Sequence, residues 1–107
     1  MVKSMKRASN PNKSEQEHQD RVREFGCIAC YIISGQDGTP AAIHHVYGSK
    51  RSLSMPEPHK RVLGLCGYHH QGVGEFKEGG YVHGRRREFE EMFGSQQSLI
   101  EMTKELI

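Results

Sequence analysis

The chain has 107 residues, of which 35% are hydrophobic and 26% charged, with no tryptophan and a formal charge of +2. That length fits one small domain and excludes a two-domain enzyme. A mean hydropathy of -0.73 excludes a long apolar span, and the basic N-terminus lacks the apolar stretch of a secretory signal, so the expected location is the cytoplasm.

Residues 1–13 are rich in Lys, Arg, Ser and Asn without a helical or strand period, which predicts a flexible basic arm ahead of a folded domain over 14–107. Ser14 and Glu17 have the spacing of a capping box. His18, Val22 and Phe25 then recur at helical spacing up to Gly26, so a helix is expected over 14–25. Cys27-Ile-Ala-Cys30 follows directly. The β-prone Tyr31-Ile32-Ile33, a turn region over 35–40 and a strand-like run over 41–47 predict a hairpin. Residues 48–59, rich in Ser, Lys, Arg and Pro, read as a loop, and 61–65 as a short strand feeding Cys66. Gly72, Gly74, Gly79 and Gly80 keep any helix that starts near Cys66 short. Phe89, Met92 and Phe93 mark an amphipathic helix stopped by Gly94. Ser95 is placed to cap a last helix, in which Leu99, Met102 and Leu106 share a face. The fold class expected is α+β.

A core this lean usually needs a cross-link or a metal. Three cysteines are an odd number, and Cys27 and Cys30 are too close for an ordinary structural bridge; no βαβ pattern supports a thioredoxin-type redox pair. Cys27-x-x-Cys30 and Cys66-x-x-His69 instead read as two knuckles, each supplying one edge of a tetrahedral Zn²⁺ site. His70 competes with His69 for the fourth place. His44 and His45 are adjacent on the strand-like run and so leave it on opposite faces. His18 and His59 read as surface or satisfied histidines. Lys50, Arg51, Lys60 and Arg61 form a basic group able to neutralise phosphates. The run Arg85-Arg86-Arg87 is followed by Glu88, Glu90 and Glu91 at spacings that pair along a helix.

The order Cys27-x-x-Cys30, Ile43-His44-His45-Val46, Leu65-Cys66-x-x-His69-His70 resembles an HNH endonuclease, a ββα-metal motif embedded between zinc knuckles. More narrowly, Cys27-Ile-Ala-Cys30, Ile43-His44-His45, Leu65-Cys66-Gly-Tyr-His69-His70-Gln71, His83-Gly84 and Phe93-Gly94-Ser95 resemble the recombination enhancement function nucleases of phages and prophages, over about residues 14–107. The resemblance implies a small zinc-stapled ββα-metal domain with flanking N- and C-terminal helices, acting on DNA with RecA. It implies His45 as general base, His44 and His70 as ligands of a catalytic divalent ion, and His83 as a further ligand or phosphate contact. It also implies structural Zn²⁺ on Cys27, Cys30, Cys66 and His69, and Mg²⁺ or Mn²⁺ at the catalytic site. His44 stands where the family often has Asp, which makes the site less anionic and admits Zn²⁺. The family's middle Asn has no counterpart, the only asparagines being Asn10 and Asn12; His59, Lys60 and Arg61 fall near its place. The competing expectation is a zinc-stapled binding module without activity.

Overall fold

A computed structural model describes residues 11–46 and 58–107. Helix α1 spans Lys13–Phe25, one residue longer at its start than expected, with its cap two residues before Ser14. Asn12 takes the cap: its Oδ1 accepts the Glu15 N–H and the Glu15 carboxylate accepts the Asn12 N–H, both at 2.8 Å. Asn and Ser are comparable caps, so the reciprocal Asn12–Glu15 pair decides the register. Asn12 and Lys13 therefore stand in the folded part, and residues 1–10 of the expected arm lie outside the described residues.

Helix α2, Ile28–Ser34, replaces the strand expected at Tyr31-Ile32-Ile33. The Sγ of Cys27 accepts the Cys30 N–H at 3.4 Å and caps its start, and Gly35 at φ 78° closes it. One helical turn buries Ile28, Ala29 and Cys30 while Ile32 and Ile33 stay exposed, so packing around the knuckle outranks β propensity. The hairpin expected within 31–47 is thus absent. The strand β1, Ala42–His45, pairs instead with β2, Val62–Leu65. The pairing is antiparallel, with His44 opposite Leu63 and His45 opposite Val62.

A 3₁₀ turn, Pro58–Lys60, leads into β2, and α3, Gly67–Gln71, follows it. Gly72 at φ 74° ends α3 after little more than one turn, as the glycine-rich stretch predicts. Helix α4, Arg86–Phe93, and helix α5, Gln96–Leu106, complete the chain, with Ser95 Oγ accepting the Ser98 N–H at the α5 cap. Their buried faces differ from the expected ones. Phe89 and Phe93 are buried, but Met92 faces outward; α5 buries Gln96, Leu99, Ile100 and Thr103, leaving Met102 and Leu106 partly exposed.

All four residues of β2 are buried, and Leu63, Leu65, Ile28, Phe89 and Leu99 form the centre of the core beside the knuckle cysteines. Gly64 is required here by proximity. A Cβ on it would lie 2.6 Å from the Gly26 carbonyl oxygen, where the end of α1 crosses the strand. The architecture is a two-stranded ribbon packed among helices, a small α+β fold. Among the described residues no helix is long and apolar enough to cross a membrane.

Candidate metal centres and nuclease site

Two groups of ligand-bearing side chains converge on the ribbon and α3. The first is Cys27, Cys30, Cys66 and His69. Cys27 is delivered by the Gly26 turn after α1, Cys30 by α2, and Cys66 and His69 by the cap and first turn of α3. The Cys30 and Cys66 sulfurs are 3.8 Å apart, and His69 Nδ1 lies 3.6, 3.7 and 3.3 Å from Cys27, Cys30 and Cys66. Tetrahedral zinc with its usual bond lengths demands edges of about 3.8 Å between sulfurs and about 3.6 Å between sulfur and nitrogen. The four residues fit that ion.

The surroundings fit it too. His69 Nε2–H donates to the Glu78 carbonyl at 2.9 Å, which leaves Nδ1 unprotonated toward the sulfurs. Of the two adjacent histidines it is His69 that lies with the three cysteines, while His70 lies with His44 and His83. Burial pushes the Cys27 thiol up to about 12, so its thiolate needs a bound cation at neutral pH. At Cys66 burial acts in the same direction but is outweighed by the His69 N–H and the Lys77 ammonium, and its thiol is lowered. Lys77 Nζ donates to Cys30 Sγ at 3.3 Å and to Cys66 Sγ at 3.4 Å. With Zn²⁺ bound, three thiolates and the ion would sum to a charge of -1, which that ammonium is placed to balance. Nothing in the spacing of the sequence marks Lys77; only the return of the chain after α3 brings it there.

The second group is His44, His70 and His83. Ring centroids lie 5.1 Å apart for His44–His70 and His44–His83, and 4.7 Å for His70–His83. His83 is held by backbone: its N–H donates to the His70 carbonyl at 3.0 Å, next to Val82 N–H on the His69 carbonyl. Burial, reinforced by the neighbouring imidazoles, draws His44 down to about 4 despite its bond to Gln96. His70 is lowered mainly by burial and then by His83. Neutral imidazoles are the form in which histidine ligates metals.

A relay behind His44 sets its orientation. Glu90 carboxylate accepts Arg86 Nε–H at 2.9 Å and Gln96 Nε2–H at 3.3 Å, which turns Gln96 Oε1 toward His44 Nε2–H at 2.9 Å. The His44 ring therefore offers Nδ1 as its free nitrogen. Gln96 is buried at the start of α5, and its place one residue after the Ser95 cap is the only local signal that points to it. The pairing of Arg85 with Glu88 and of Arg86 with Glu90 follows the helical spacing.

His45 leaves the ribbon on the other side and meets His59, with His45 Nε2 3.3 Å from His59 Nδ1. Burial and then the neighbouring His59 lower His45. His59, expected from the sequence to be a surface or satisfied histidine, thus has His45 as its partner. A cleft of about 200 Å³ at the end of β1 is lined by His44, His45, Val46, Val82, His83, Arg86 and Gln96. Both strand histidines border it even though their rings part to opposite sides.

Over residues 11–107 the chain matches the family described as recombination enhancement, RecA-dependent nuclease. The chain belongs to that family. A comparison with curated proteins finds no match. The cleft at the end of β1 is lined by candidate metal ligands, His44 and His83, and by the candidate base His45. Of the basic residues expected on phosphates, Lys50 and Arg51 lie outside the described residues. Lys60 ends the 3₁₀ turn, and Arg61 Nη2 donates to Gln97 Oε1 on α5. Arg86, which pairs with Glu90 as the helical spacing predicts, also lines the cleft.

Proposed function

We propose that the chain is a metal-dependent DNA endonuclease of the HNH type that hydrolyses phosphodiester bonds during recombination together with RecA. The observation that carries this reading is the cleft at the end of β1, whose lining includes His44 and His83 of the three-imidazole cluster together with His45. In this reading Cys27, Cys30, Cys66 and His69 hold structural zinc, and His44, His70 and His83 hold the catalytic ion. Three imidazoles without a carboxylate suit Zn²⁺ and other borderline ions; Mn²⁺ or Mg²⁺ would lean on water and phosphate oxygens for the rest of their shell. A divalent ion bound there supplies Lewis-acid stabilisation of the charge on the phosphate and on the departing 3′ oxygen.

His45 accepts a proton from the attacking water as the new P–O bond forms and the bond to the 3′ oxygen breaks. A base lowered from the ordinary imidazole value is unprotonated at neutral pH and ready for that proton. Arg86 is placed to hold a non-bridging phosphate oxygen, and Lys60, Arg61, Lys50 and Arg51 to contact flanking phosphates without reading bases. Selection of the cutting site then falls to RecA.

The test is nicking of supercoiled and of RecA-paired DNA in Mg²⁺, Mn²⁺ or Zn²⁺ by the wild type and by His45→Ala, with bound zinc quantified in both. Cleavage by the wild type alone at equal zinc content is expected. Binding without cleavage in every metal would instead mark a zinc-stapled binding module, and cleavage by His45→Ala would remove His45 from the reaction.

A further inference from the structure

Phe76 is the most exposed large apolar side chain among the described residues, 77% accessible, yet the chain that carries it is tied down. The next residue, Lys77, donates to the Cys30 and Cys66 sulfurs at 3.3 and 3.4 Å, and the Glu78 carbonyl accepts His69 Nε2–H at 2.9 Å. A ring is thus held out in water from backbone indexed to the cysteine cluster. It meets Tyr68 edge-on, with centroids 5.5 Å apart and 70° between planes, and Tyr68 meets Tyr81 in the same way at 5.6 Å and 71°. Tyr81 in turn is seated on backbone. A Cβ at Gly72 would lie 2.7 Å from its Cζ and one at Gly84 2.5 Å from its Cε2, so both positions need glycine to admit the ring. The three rings line one cleft of about 510 Å³, with Arg85 and Glu88 also in its lining, a volume within the usual span of sites for small organic groups. Arg85 Nη1 lies 2.7 Å from Glu88 Oε1, so the cleft offers aromatic surface with balanced charge. That is the chemistry of a flat neutral ligand with a π face, not of a phosphate.

We propose that this aromatic cleft is a binding site for an unpaired DNA base, which stacks on Phe76 beside Tyr68 and Tyr81. The inference rests on the reading of the chain as a nuclease of DNA, but not on which residues cut. The two clefts share the segment 81–86: Tyr81 and Arg85 line the aromatic one, while Val82, His83 and Arg86 line the one that holds the histidines. A strand lying in the histidine cleft therefore carries its neighbouring nucleotides past the aromatic one. A base inside a duplex has both faces covered by its neighbours, and only an unpaired base has a face to give to a ring. Stacking on aromatic side chains is the sequence-tolerant way of holding such a base, because every base has a π face. Rings fixed by their edges and by glycine backbone are ready for it without further ordering. The site thereby selects DNA whose pairing is locally open, and it does so without reading a sequence.

The chain has no tryptophan, so Phe76→Trp introduces a single fluorescent reporter that keeps an aromatic face, whereas Phe76→Leu keeps apolar bulk and removes the face. The zinc-loaded full chain is compared as wild type and as these two variants. The probes are a mixed-sequence single-stranded oligonucleotide and the duplex of the same sequence, and the readouts are Kd at several salt concentrations, reporter quenching, thermal midpoint and nicking of supercoiled and RecA-paired DNA. The single strand should quench the Phe76→Trp reporter and the duplex should not. In Phe76→Leu the Kd for the single strand should rise about 5- to 100-fold while the duplex Kd stays within about twofold. Its salt slope and thermal midpoint should be unchanged, since neither a phosphate contact nor a core contact is lost. A single-strand Kd within about twofold of wild type in Phe76→Leu, or equal quenching by the duplex, overturns the inference, and nicking by the wild type then leaves the nuclease reading intact. A lowered midpoint with equal loss of both DNAs in Phe76→Leu overturns it in favour of a packing role. A wild type that neither binds nor nicks any of these DNAs removes both readings.

Discussion

Lys77 bridges two cluster sulfurs at 3.3 and 3.4 Å, and replacing it by Met keeps the aliphatic stem while deleting the charge. The size of the loss follows from Coulomb's law. A unit charge about 3–4 Å from a net charge of -1 gains about 1 kcal/mol in water and about 4 kcal/mol at an effective dielectric of about 20. Lys77 is only partly buried, so solvent screening holds the net value near the lower end, about 1–2 kcal/mol. That is about a 5- to 30-fold weaker hold on zinc. The assay is competition for zinc against a chromophoric chelator at pH 7, with Lys77→Arg as a charge-retaining control. Because zinc binding to such a site is coupled to folding, the thermal midpoint of Lys77→Met should fall in step with affinity. An affinity within twofold of wild type for Lys77→Met would refute the view that this ammonium balances the thiolates.

Gln96→Leu removes the acceptor that holds His44 Nε2–H, and metal affinity at the three-histidine cluster should fall about 10- to 100-fold with zinc on the cysteine site unchanged; titration of the zinc-loaded chain with Mn²⁺ or Co²⁺ checks this. His44, His45, His69 and His70 are all held below the ordinary imidazole value, chiefly by burial. Below a pH of about 6.5 the unfolded chain therefore binds protons that the folded chain refuses. The stability these neutral rings confer is fully present above that pH and is lost as pH falls toward 4. A thermal midpoint that stays flat from pH 7 to 4.5 would contradict it. Gly64→Ala drives a methyl against the Gly26 carbonyl and should cost about 1–3 kcal/mol in a urea titration; an unchanged midpoint would mean that α1 can retreat from the strand.

What could be read from sequence and what could not divide along physical lines. Covalent spacing is local, so the knuckles Cys27-x-x-Cys30 and Cys66-x-x-His69, the short helix after Cys66, the Ser95 cap and the divergence of His44 from His45 were legible. Contacts made by chain return were not. Lys77, Gln96 and His59 reach their partners across 47, 52 and 14 residues, and no periodicity encodes such a meeting. Tyr31-Ile32-Ile33 misleads for another reason: its β-branched side chains favour a strand when isolated, but Cys27 and Cys30 must converge on one point, and a capped helical turn does that. The partner of β1 differs from the expected one for the same reason: with 31–33 in a helix, Val62–Leu65 is the strand that pairs with it. On α5, buried Ile100 and Thr103 take the places expected of Met102 and Leu106, a rotation of the helix set by packing against β2 that a count of apolar residues does not determine.

His69 and His70 are neighbours in sequence, yet one serves the thiolate cluster and the other the histidine cluster. A single turn of α3 is thus a hub on which both sites are indexed. Successive side chains on a helix diverge by about 100°, so one inserted or deleted residue between Cys66 and His70 rotates at least one ligand out of its cluster. Length variation in this stretch is forbidden to any relative that keeps both sites, even where every ligand type is retained. Drift elsewhere can be absorbed by loops, but here the reading frame of the helix is itself part of how the two clusters are assembled.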